Sequence, residues 1–195
     1  MSEIKEAIKK GDSKVLNDLL ESGADYKEVY FGTQFSTPLH YAAEKNRGEC
    51  IKLLVKYGAD VNIKNKHGDT PLHLASQFCR LKSVKALLEC GADPNISGQD
   101  DKIVLEYAIR SDDYSQEKIE IVNLLLSHGA NINKSDKRGY TLLHFAVYDG
   151  ILTLVKFLVE NGSKNIRNYN GQSPSEMAIE DGKHEIAQYI EEKLG

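Results

Sequence analysis

Apolar residues recur along the chain in pairs of short segments that have a helical spacing. In the second segment of each pair they fall on one side of a helix, as Ile51, Leu53 and Leu54 do. A glycine followed by a small residue, such as Gly58 before Ala59, then ends the segment. Because glycine readily adopts the left-handed conformation that closes a helix, we predict an amphipathic helix ending at each of these glycines.

A recurring motif begins the first segment of each pair. Its copies are TPLHYAA from Thr37, TPLHLAS from Thr70, TLLHFAV from Thr141, and the weaker SPSEMAI from Ser173 and IVLEYAI from Ile103. Threonine is a good N-cap because its hydroxyl accepts an unpaired backbone N–H at the helix start. Proline suits the first helical position, where no N–H is required. Each block therefore predicts a helix, a tight turn, a second helix and an extended finger.

The motif repeats through the whole chain with a period of about 33 residues. One alanine per copy marks the period: Ala7, Ala42, Ala75, Ala108, Ala146 and Ala178. A unit of this size cannot bury its apolar face alone, so neighbouring units must stack. We predict a single domain over residues 1–195, in which the first and last repeats are caps. The approximate repeats are 1–32, 33–65, 66–98, 99–136, 137–168 and 169–195.

The motif T-P-L-H-x-A, with the strings GADVN at Gly58, GADPN at Gly91 and GANIN at Gly129, resembles the ankyrin-repeat family over essentially the whole chain. The resemblance implies an all-α solenoid of stacked helix–turn–helix units with β-hairpin-like fingers. It also implies a non-catalytic scaffold for protein–protein interaction. Members of this family usually bind through the finger tips and the exposed side of each first helix, which together form a concave surface.

Composition narrows the functional classes. The 195 residues carry a formal net charge of -4, which argues against a nucleic-acid binder. No apolar run approaches the ~18 residues of a membrane helix, and the first residues lack the apolar region of a secretory signal. We therefore expect a cytoplasmic monomer, with a nuclear location or delivery into a host cytosol as alternatives. The frequent Asn and Ile hint at a virus, parasite or intracellular bacterium, in which case the partner would be a host factor.

The side chains with reactive chemistry do not form a catalytic or metal pattern. Cys50, Cys79 and Cys90 contain no C-x-x-C pair, and we expect reduced thiols, with Cys50 in the core and the other two more exposed. The motif histidines are His40, His73 and His144. Stacked helices lie about 8–10 Å apart, too far for consecutive imidazoles to share a zinc ion, so we expect structural hydrogen bonds instead. No nucleophile elbow, phosphate loop or H-E-x-x-H motif is present, and we predict no enzyme, cofactor or metal.

Positions without a repeated structural role indicate where a partner protein would bind. They follow the finger turns and the ends of the first helices, and tyrosine and arginine among them are favoured in interfaces. The candidate partner-binding residues are Phe31, Gln34, Lys66, His67, Asp69, Gln77, Phe78, Asp100, Arg110, Lys137, Arg138, Tyr140, Tyr148, Asp149 and Tyr169. The C-terminal half is the preferred site. The alternative is a peptide or modified-side-chain reader or small-ligand sensor, in which aromatic rings form a pocket around a cation.

Three further departures from the repeat complete the predictions. Asn62, Asn95 and Asn133 occupy a finger position that is hydroxylated in some ankyrin proteins, so modification is possible there as well as a structural role. The first finger, 26–36, is longer than the others and rich in aromatic residues, which favours packing and partner contact about equally. Repeat four lacks the Thr-Pro start and the motif histidine. It also has an insertion around residues 111–117, which we interpret either as a tolerated surface insertion or as an acidic contact loop. We expect faster hydrogen exchange near it.

Overall fold

The computed structural model describes residues 3–26, 36–110 and 116–195, without the side chains of residues 110 and 116. These residues form twelve α-helices and one short 3₁₀ turn, and none of them lies in a β-strand. The predicted all-α fold is therefore confirmed. Three of the described fingers reverse the chain in a hairpin-like turn, in which Asn65 N donates to Asp69 O, Asp136 N to Tyr140 O and Asn168 N to Gln172 O, each at 2.9 Å. An isolated antiparallel bridge joins Ser97 and Ile103.

The chain divides into two compact units, Met1–Ala130 and Asn131–Gly195. The helices of unit 1 are α1 (Glu3–Lys10), α2 (Ser13–Glu21), α3 (Pro38–Glu44), α4 (Gly48–Lys56), α5 (Pro71–Gln77), α6 (Leu81–Glu89), α7 (Val104–Arg110) and α8 (Gln116–Ser127). Those of unit 2 are α9 (Leu142–Asp149), α10 (Leu152–Glu160), α11 (Pro174–Glu180) and α12 (His184–Leu194). Among the described residues, every helix is too short or too polar to cross a membrane.

Within each unit, the first helix of a repeat packs on the first helix of the next, and second helices pack on second helices. In unit 1, α3 contacts α5 and α4 contacts α6, while in unit 2 α9 contacts α11 and α10 contacts α12. The core between these layers consists of the leucine, isoleucine and alanine positions that define the repeat. Leu54, Leu87 and Leu125 in unit 1 and Leu143 and Leu158 in unit 2 have no exposed surface.

The first helices begin where the motif predicts. Thr37, Thr70 and Thr141 are N-caps in extended conformation, and in each the histidine three residues later completes a capping box. In the last repeat Ser173 and Glu176 form the same arrangement, with Glu176 accepting from Ser173 N at 2.9 Å. Local sequence therefore determines these helix starts, because cap and partner are only three residues apart.

Repeat four departs from this plan inside unit 1. Its helix α7 follows a 3₁₀ turn at Gln99–Asp101, in which Asp100 and Asp101 have φ of 56° and 61°. Ile103 stands at the cap position and Glu106 at the position of the motif histidine, and both are buried. Most of the predicted insertion, residues 111–115, lies outside the described residues.

The three cysteines are free thiols. Cys50 is buried as predicted, and burial raises its pKa to about 11. Cys79, expected to be more exposed than Cys50, is also buried, with 8% of its surface accessible against 1% for Cys50. Cys79 follows the C-cap of α5 in a left-handed conformation, with a φ of 51°. Cys90 is half-buried.

Candidate protein interface

Two of the three motif histidines, His40 and His144, connect the cap of one repeat to the finger of the next, whereas the Nε2 of His73 has no hydrogen-bond partner among the described residues. His40 Nδ1 accepts from Thr37 N at 3.3 Å, and its Nε2 lies 3.0 Å from the carbonyl oxygen of Asp69. Since Nδ1 accepts a hydrogen bond from a backbone N–H, the ring is neutral and Nε2 carries the hydrogen that it donates to the carbonyl oxygen. Burial lowers the pKa of His40 and maintains this neutral form. The expected structural hydrogen bonds are therefore present.

His144 repeats this arrangement within unit 2. Its Nδ1 accepts from Thr141 N at 3.0 Å, and its Nε2 lies 3.2 Å from Gln172 O. Burial again lowers the pKa of the ring. In the parts of the chain that the structure describes, no group of three or more His, Cys, Asp or Glu side chains could hold a metal ion.

Asp69 is buried rather than exposed, which corrects its selection as a partner contact. Only 6% of its surface is accessible. Its Oδ1 accepts from Gln99 N at 2.9 Å and from the hydroxyl of Tyr107 at 2.7 Å. Burial and this hydrogen bond to a carboxylate raise the pKa of Tyr107. Asp69 therefore joins its finger to repeat four, and the residue is not available to a partner.

The other candidates in unit 1 are exposed where they are described. Lys66 and His67 occupy a finger tip, and Gln77 and Phe78 end helix α5, where 43% of the Phe78 surface is accessible. Asp100 is exposed in the turn before α7. The exposure of three further candidates is not described. Phe31 and Gln34 lie outside the described residues, as does the side chain of Arg110.

The candidates of unit 2 begin with the finger turn before α9. Lys137 and Arg138 form its exposed tip. The guanidinium carbon of Arg138 lies 5.1 Å from the ring centroid of Tyr140, and its Nε donates to Asp136 Oδ2 at 3.3 Å. Tyr140 is half-buried and also contacts the rings of two residues in α9, His144 and Phe145. Tyr140 is therefore expected to orient the side chain of Arg138 rather than to contact a partner directly.

Tyr148 and Asp149 are exposed at the end of α9, and 71% of the Tyr148 surface is accessible. Lys183, from the turn before α12, donates to Tyr148 O at 3.2 Å and lies 6.0 Å from the centroid of its ring. Lys183 was not predicted as a site residue. It precedes α12 in the next repeat, and only packing brings it to the end of α9.

Tyr169 forms the tip of the next finger and is 76% exposed. Its backbone N–H donates to Arg138 O at 3.1 Å, so the two finger tips are adjacent. Gly139 makes this contact possible, because a Cβ there would lie 2.8 Å from Tyr169 N and 3.0 Å from its Cδ1. Gly139 also has a φ of 82°, which disfavours other residues. Unit 2 therefore brings Arg138, Tyr140 and Tyr169 into one local surface.

Comparison with known proteins agrees with this architecture. A family profile described as "Ankyrin repeats (3 copies)" matches residues 4–97 and 104–194. The chain belongs to the ankyrin-repeat family. The ankyrin repeat protein FPV230 of fowlpox virus (strain NVSL) is 33% identical over 147 residues, which cover 75% of this chain and 76% of the relative.

Solved structures of other ankyrin-repeat proteins share the fold. The ankyrin repeat domain of Bcl-3, a member of the IkappaB protein family, matches with a TM-score of 0.85 and 26% identity, covering 99% of this chain and 86% of that chain. The ankyrin repeat protein EF0377 matches with a TM-score of 0.79 and 28% identity, covering 98% and 97%. The chain spans only 14% to 58% of the length of several other curated relatives.

The three asparagines proposed for modification form hydrogen bonds between neighbouring repeats of this ankyrin-repeat chain. Asn62 Oδ1 accepts from Asp93 N at 2.9 Å. Asn95 Nδ2 donates to Gly129 O and Asn133 Nδ2 donates to Gly162 O, both at 2.9 Å. The side-chain amides therefore have a structural role, and hydroxylation stays a prediction.

Proposed function

We propose that this chain is a non-catalytic module that binds another protein, and that unit 2 carries the main contact surface. Arg138, Tyr148, Asp149 and Tyr169 form this surface, which we call the unit 2 surface. The exposure of the two tyrosines carries the proposal: among the described residues, they are the most exposed large hydrophobic side chains. Aromatic side chains contribute about 150–250 Å² each when buried, and tyrosine and arginine are enriched among the residues that dominate binding energy.

The unit 2 surface is built on ordered elements, which favours binding. Tyr148 lies in α9, and Lys183 holds its carbonyl. Tyr169 is fixed by its backbone hydrogen bond to Arg138. A surface whose backbone is already ordered loses less conformational entropy when a partner binds. In unit 1, the exposed residues Lys66, His67, Gln77 and Phe78 form a further proposed contact region.

The alternative function, a reader with an aromatic pocket, receives less support. Such a pocket needs two or three rings around a ligand cation. Two of the rings in unit 2 already face cations of the chain itself, since Arg138 lies over Tyr140 and Lys183 over Tyr148. We therefore propose that these rings present ordered polar and aromatic contacts to a protein rather than a pocket for a small cation.

An affinity pull-down from cell extract, analysed by mass spectrometry, tests the proposal. The bait is the full chain, compared with the triple variant Arg138→Ala/Tyr148→Ala/Tyr169→Ala. Tyr140 is left intact because it packs against His144, and its loss could disturb the fold. We expect a protein that the wild type retains and the triple variant loses.

The matched control is Glu185→Ala/Gln188→Ala/Glu192→Ala, which alters three exposed residues of α12 in the same unit. Circular dichroism and thermal unfolding establish that both variants are folded. A partner lost by the control as well, or retained by all three proteins, would place the contact outside the unit 2 surface.

A further inference from the structure

The finger turn before α9 is organised by Asp136. Its Oδ1 accepts from Arg138 N at 2.8 Å and from Tyr140 N at 2.9 Å. Asparagines fill this role in two other fingers: Asn65 Oδ1 accepts from the backbone of residues 67 and 69, and Asn168 Oδ1 from that of residues 170 and 172. The turn therefore needs one side-chain oxygen, and an asparagine provides it.

Asp136 differs from these asparagines by its second carboxylate oxygen. This atom, Oδ2, accepts from Arg138 Nε at 3.3 Å. In the other two fingers, the corresponding Nδ2 atoms of Asn65 and Asn168 are buried without a hydrogen-bond partner in the described residues. The finger before α9 therefore has the same turn as the other two but a carboxylate in place of the amide. The second oxygen of this carboxylate orients the side chain of Arg138.

The guanidinium of Arg138 is held on one side and open on the other. Asp136 takes Nε, the Tyr140 ring lies 5.1 Å from Cζ, and 66% of the side chain is exposed. In the part of the chain that the structure describes, Nη1 and Nη2 have no hydrogen-bond partner. Arg167 provides the contrast: its Nη1 and Nη2 both donate to Glu176 at 2.5 Å. The two arginines are similarly exposed, but only Arg138 presents an unused pair of nitrogens.

The charge around Arg138 is positive although the whole chain is acidic. The two fingers of unit 2, residues 131–140 and 164–172, contain the basic residues Lys134, Lys137, Arg138, Lys164 and Arg167. Their one acidic residue is Asp136, whose side chain is only 9% exposed. With five basic residues and one acidic residue, these two fingers have a formal net charge of +4, whereas the whole chain has a formal net charge of -4. An acidic partner segment would be complementary to them.

We propose that Arg138 binds a carboxylate of an acidic segment of the partner protein, through Nη1 and Nη2, while Tyr169 packs against the adjacent partner residue. The proposal rests on the proposed function and specifies its partner chemistry. The planar pair of N–H groups on a guanidinium matches the two oxygens of an aspartate or glutamate side chain. Because Asp136 binds only Nε, the Nη1 and Nη2 groups of Arg138 stay available as a pair of donors for such a carboxylate.

Selection of a random peptide library on the immobilised full chain tests the proposal. We expect the enriched peptides to share an Asp or Glu at a fixed position. Synthetic copies of them, with that residue either intact or changed to Asn or Gln, are then titrated by fluorescence anisotropy. Loss of a charged hydrogen-bonded pair typically weakens binding by about ten- to a hundred-fold, which we expect for the amide peptide and for Arg138→Ala.

The double-mutant cycle separates direct contact from a general effect on the fold. If Arg138 binds the carboxylate, Arg138→Ala will weaken the acidic peptide and leave the amide peptide almost unchanged. Arg138→Lys keeps the charge without the two parallel donors, so it will recover only part of the affinity. Lys193→Ala, which removes an exposed basic residue of α12 outside the two fingers, is the control, and its binding will equal that of the wild type.

Three results would overturn the proposal. Additive effects of Arg138→Ala and of the amide substitution in the peptide would show that the guanidinium of Arg138 does not contact the peptide carboxylate. Enriched peptides without a shared acidic residue, or no enriched peptide, would show that a linear acidic segment is not the ligand. If peptides are enriched but the effects are additive or no acidic residue is shared, the variant Tyr148→Ala/Tyr169→Ala is tested next. Loss of peptide binding in this variant would support the proposed function of the unit 2 surface without the contact between Arg138 and a carboxylate. Peptide binding that neither this variant nor Arg138→Ala changes would count against both.

Discussion

At the scale of single residues, the motif histidines show how a neutral side chain can join two repeats. His40 accepts a hydrogen bond at Nδ1 and donates one at Nε2, so both ring nitrogens are used. A second proton on Nδ1 would abolish the bond from Thr37 N. Burial lowers the pKa of the ring and so keeps it neutral, while the two hydrogen bonds select the tautomer that this connection requires.

The histidines predict a dependence of stability on pH. Burial lowers the pKa of His40 and His144 from 6.5, and that of His73 to about 4. The unfolded chain then binds more protons than the folded chain below pH 6.5, so the free energy of unfolding will fall as pH decreases towards the folded pKa. Each histidine contributes up to about 1.4 kcal/mol per pH unit. Urea unfolding at a series of pH values between about 7.5 and 5.5 measures this.

His144→Gln tests the contribution of one of these histidines. Because burial lowers the pKa of His144, this variant will show a smaller pH slope than the wild type. Glu176 titrates lower: the Ser173 backbone N–H and Arg167 reduce its pKa to about 2, so its contribution is lost only as pH falls from about 4.5. A free energy of unfolding that does not change between pH 7.5 and 5.5 would contradict the assignment.

At the scale of elements, the finger that ends at Asp69 is joined to the next repeat by side-chain hydrogen bonds. In repeat three, the Asp69 carboxylate accepts from Gln99 N in the turn before α7 and from the hydroxyl of Tyr107 in α7 itself. The same turn holds Gly98 against Asp69 and His73 and places Asp101 in a left-handed conformation. This turn therefore contains a closely packed residue, Gly98, and a residue in an unfavourable backbone conformation, Asp101, three positions later.

Two substitutions in this turn are expected to have opposite effects. A Cβ at Gly98 would lie 2.8 Å from the His73 ring and closer still to Asp69 Oδ1, so Gly98→Ala will destabilise the chain by about 1–3 kcal/mol. Asp101 has a φ of 61°, and Asp101→Gly will be neutral or stabilising by up to about 1 kcal/mol. Chemical denaturation of both variants tests the pair, and equal effects would be inconsistent with this turn.

At the scale of the whole molecule, the two compact units divide inside repeat four, after α8. This repeat lacks two features that its neighbours share. Ile103 replaces the capping threonine, and Glu106 replaces the histidine that connects repeats. Loss of a helix cap costs about 1 kcal/mol, so the first helix of repeat four is expected to open more readily than those of repeats two and three.

Hydrogen exchange measures this difference. Amides of residues 98–110 are expected to exchange about five- to thirty-fold faster than those of α3 and α5, which corresponds to one or two kcal/mol of local stability. The comparison is internal, because the three first helices have the same length of seven residues. Equal protection in all three would show that packing compensates for the missing cap and histidine.

The sequence by itself determined the repeat, the helix starts and the core. These features depend on contacts within a few residues, such as Thr141 with His144, and on a period that places the same leucines and alanines inside. The exposure of Tyr148 and Tyr169 could be predicted in the same way, because their positions in the repeat have no structural role.

Only the tertiary structure decided what the remaining side chains contact. It buried Asp69 and Cys79, placed Lys183 at Tyr148, and left the guanidinium of Arg138 open while that of Arg167 was paired. Asp69 contacts Gln99, 30 positions away, from a finger position whose residue type varies from repeat to repeat. A periodic pattern carries no information about such positions, because their partners are fixed by the stacking of particular neighbours.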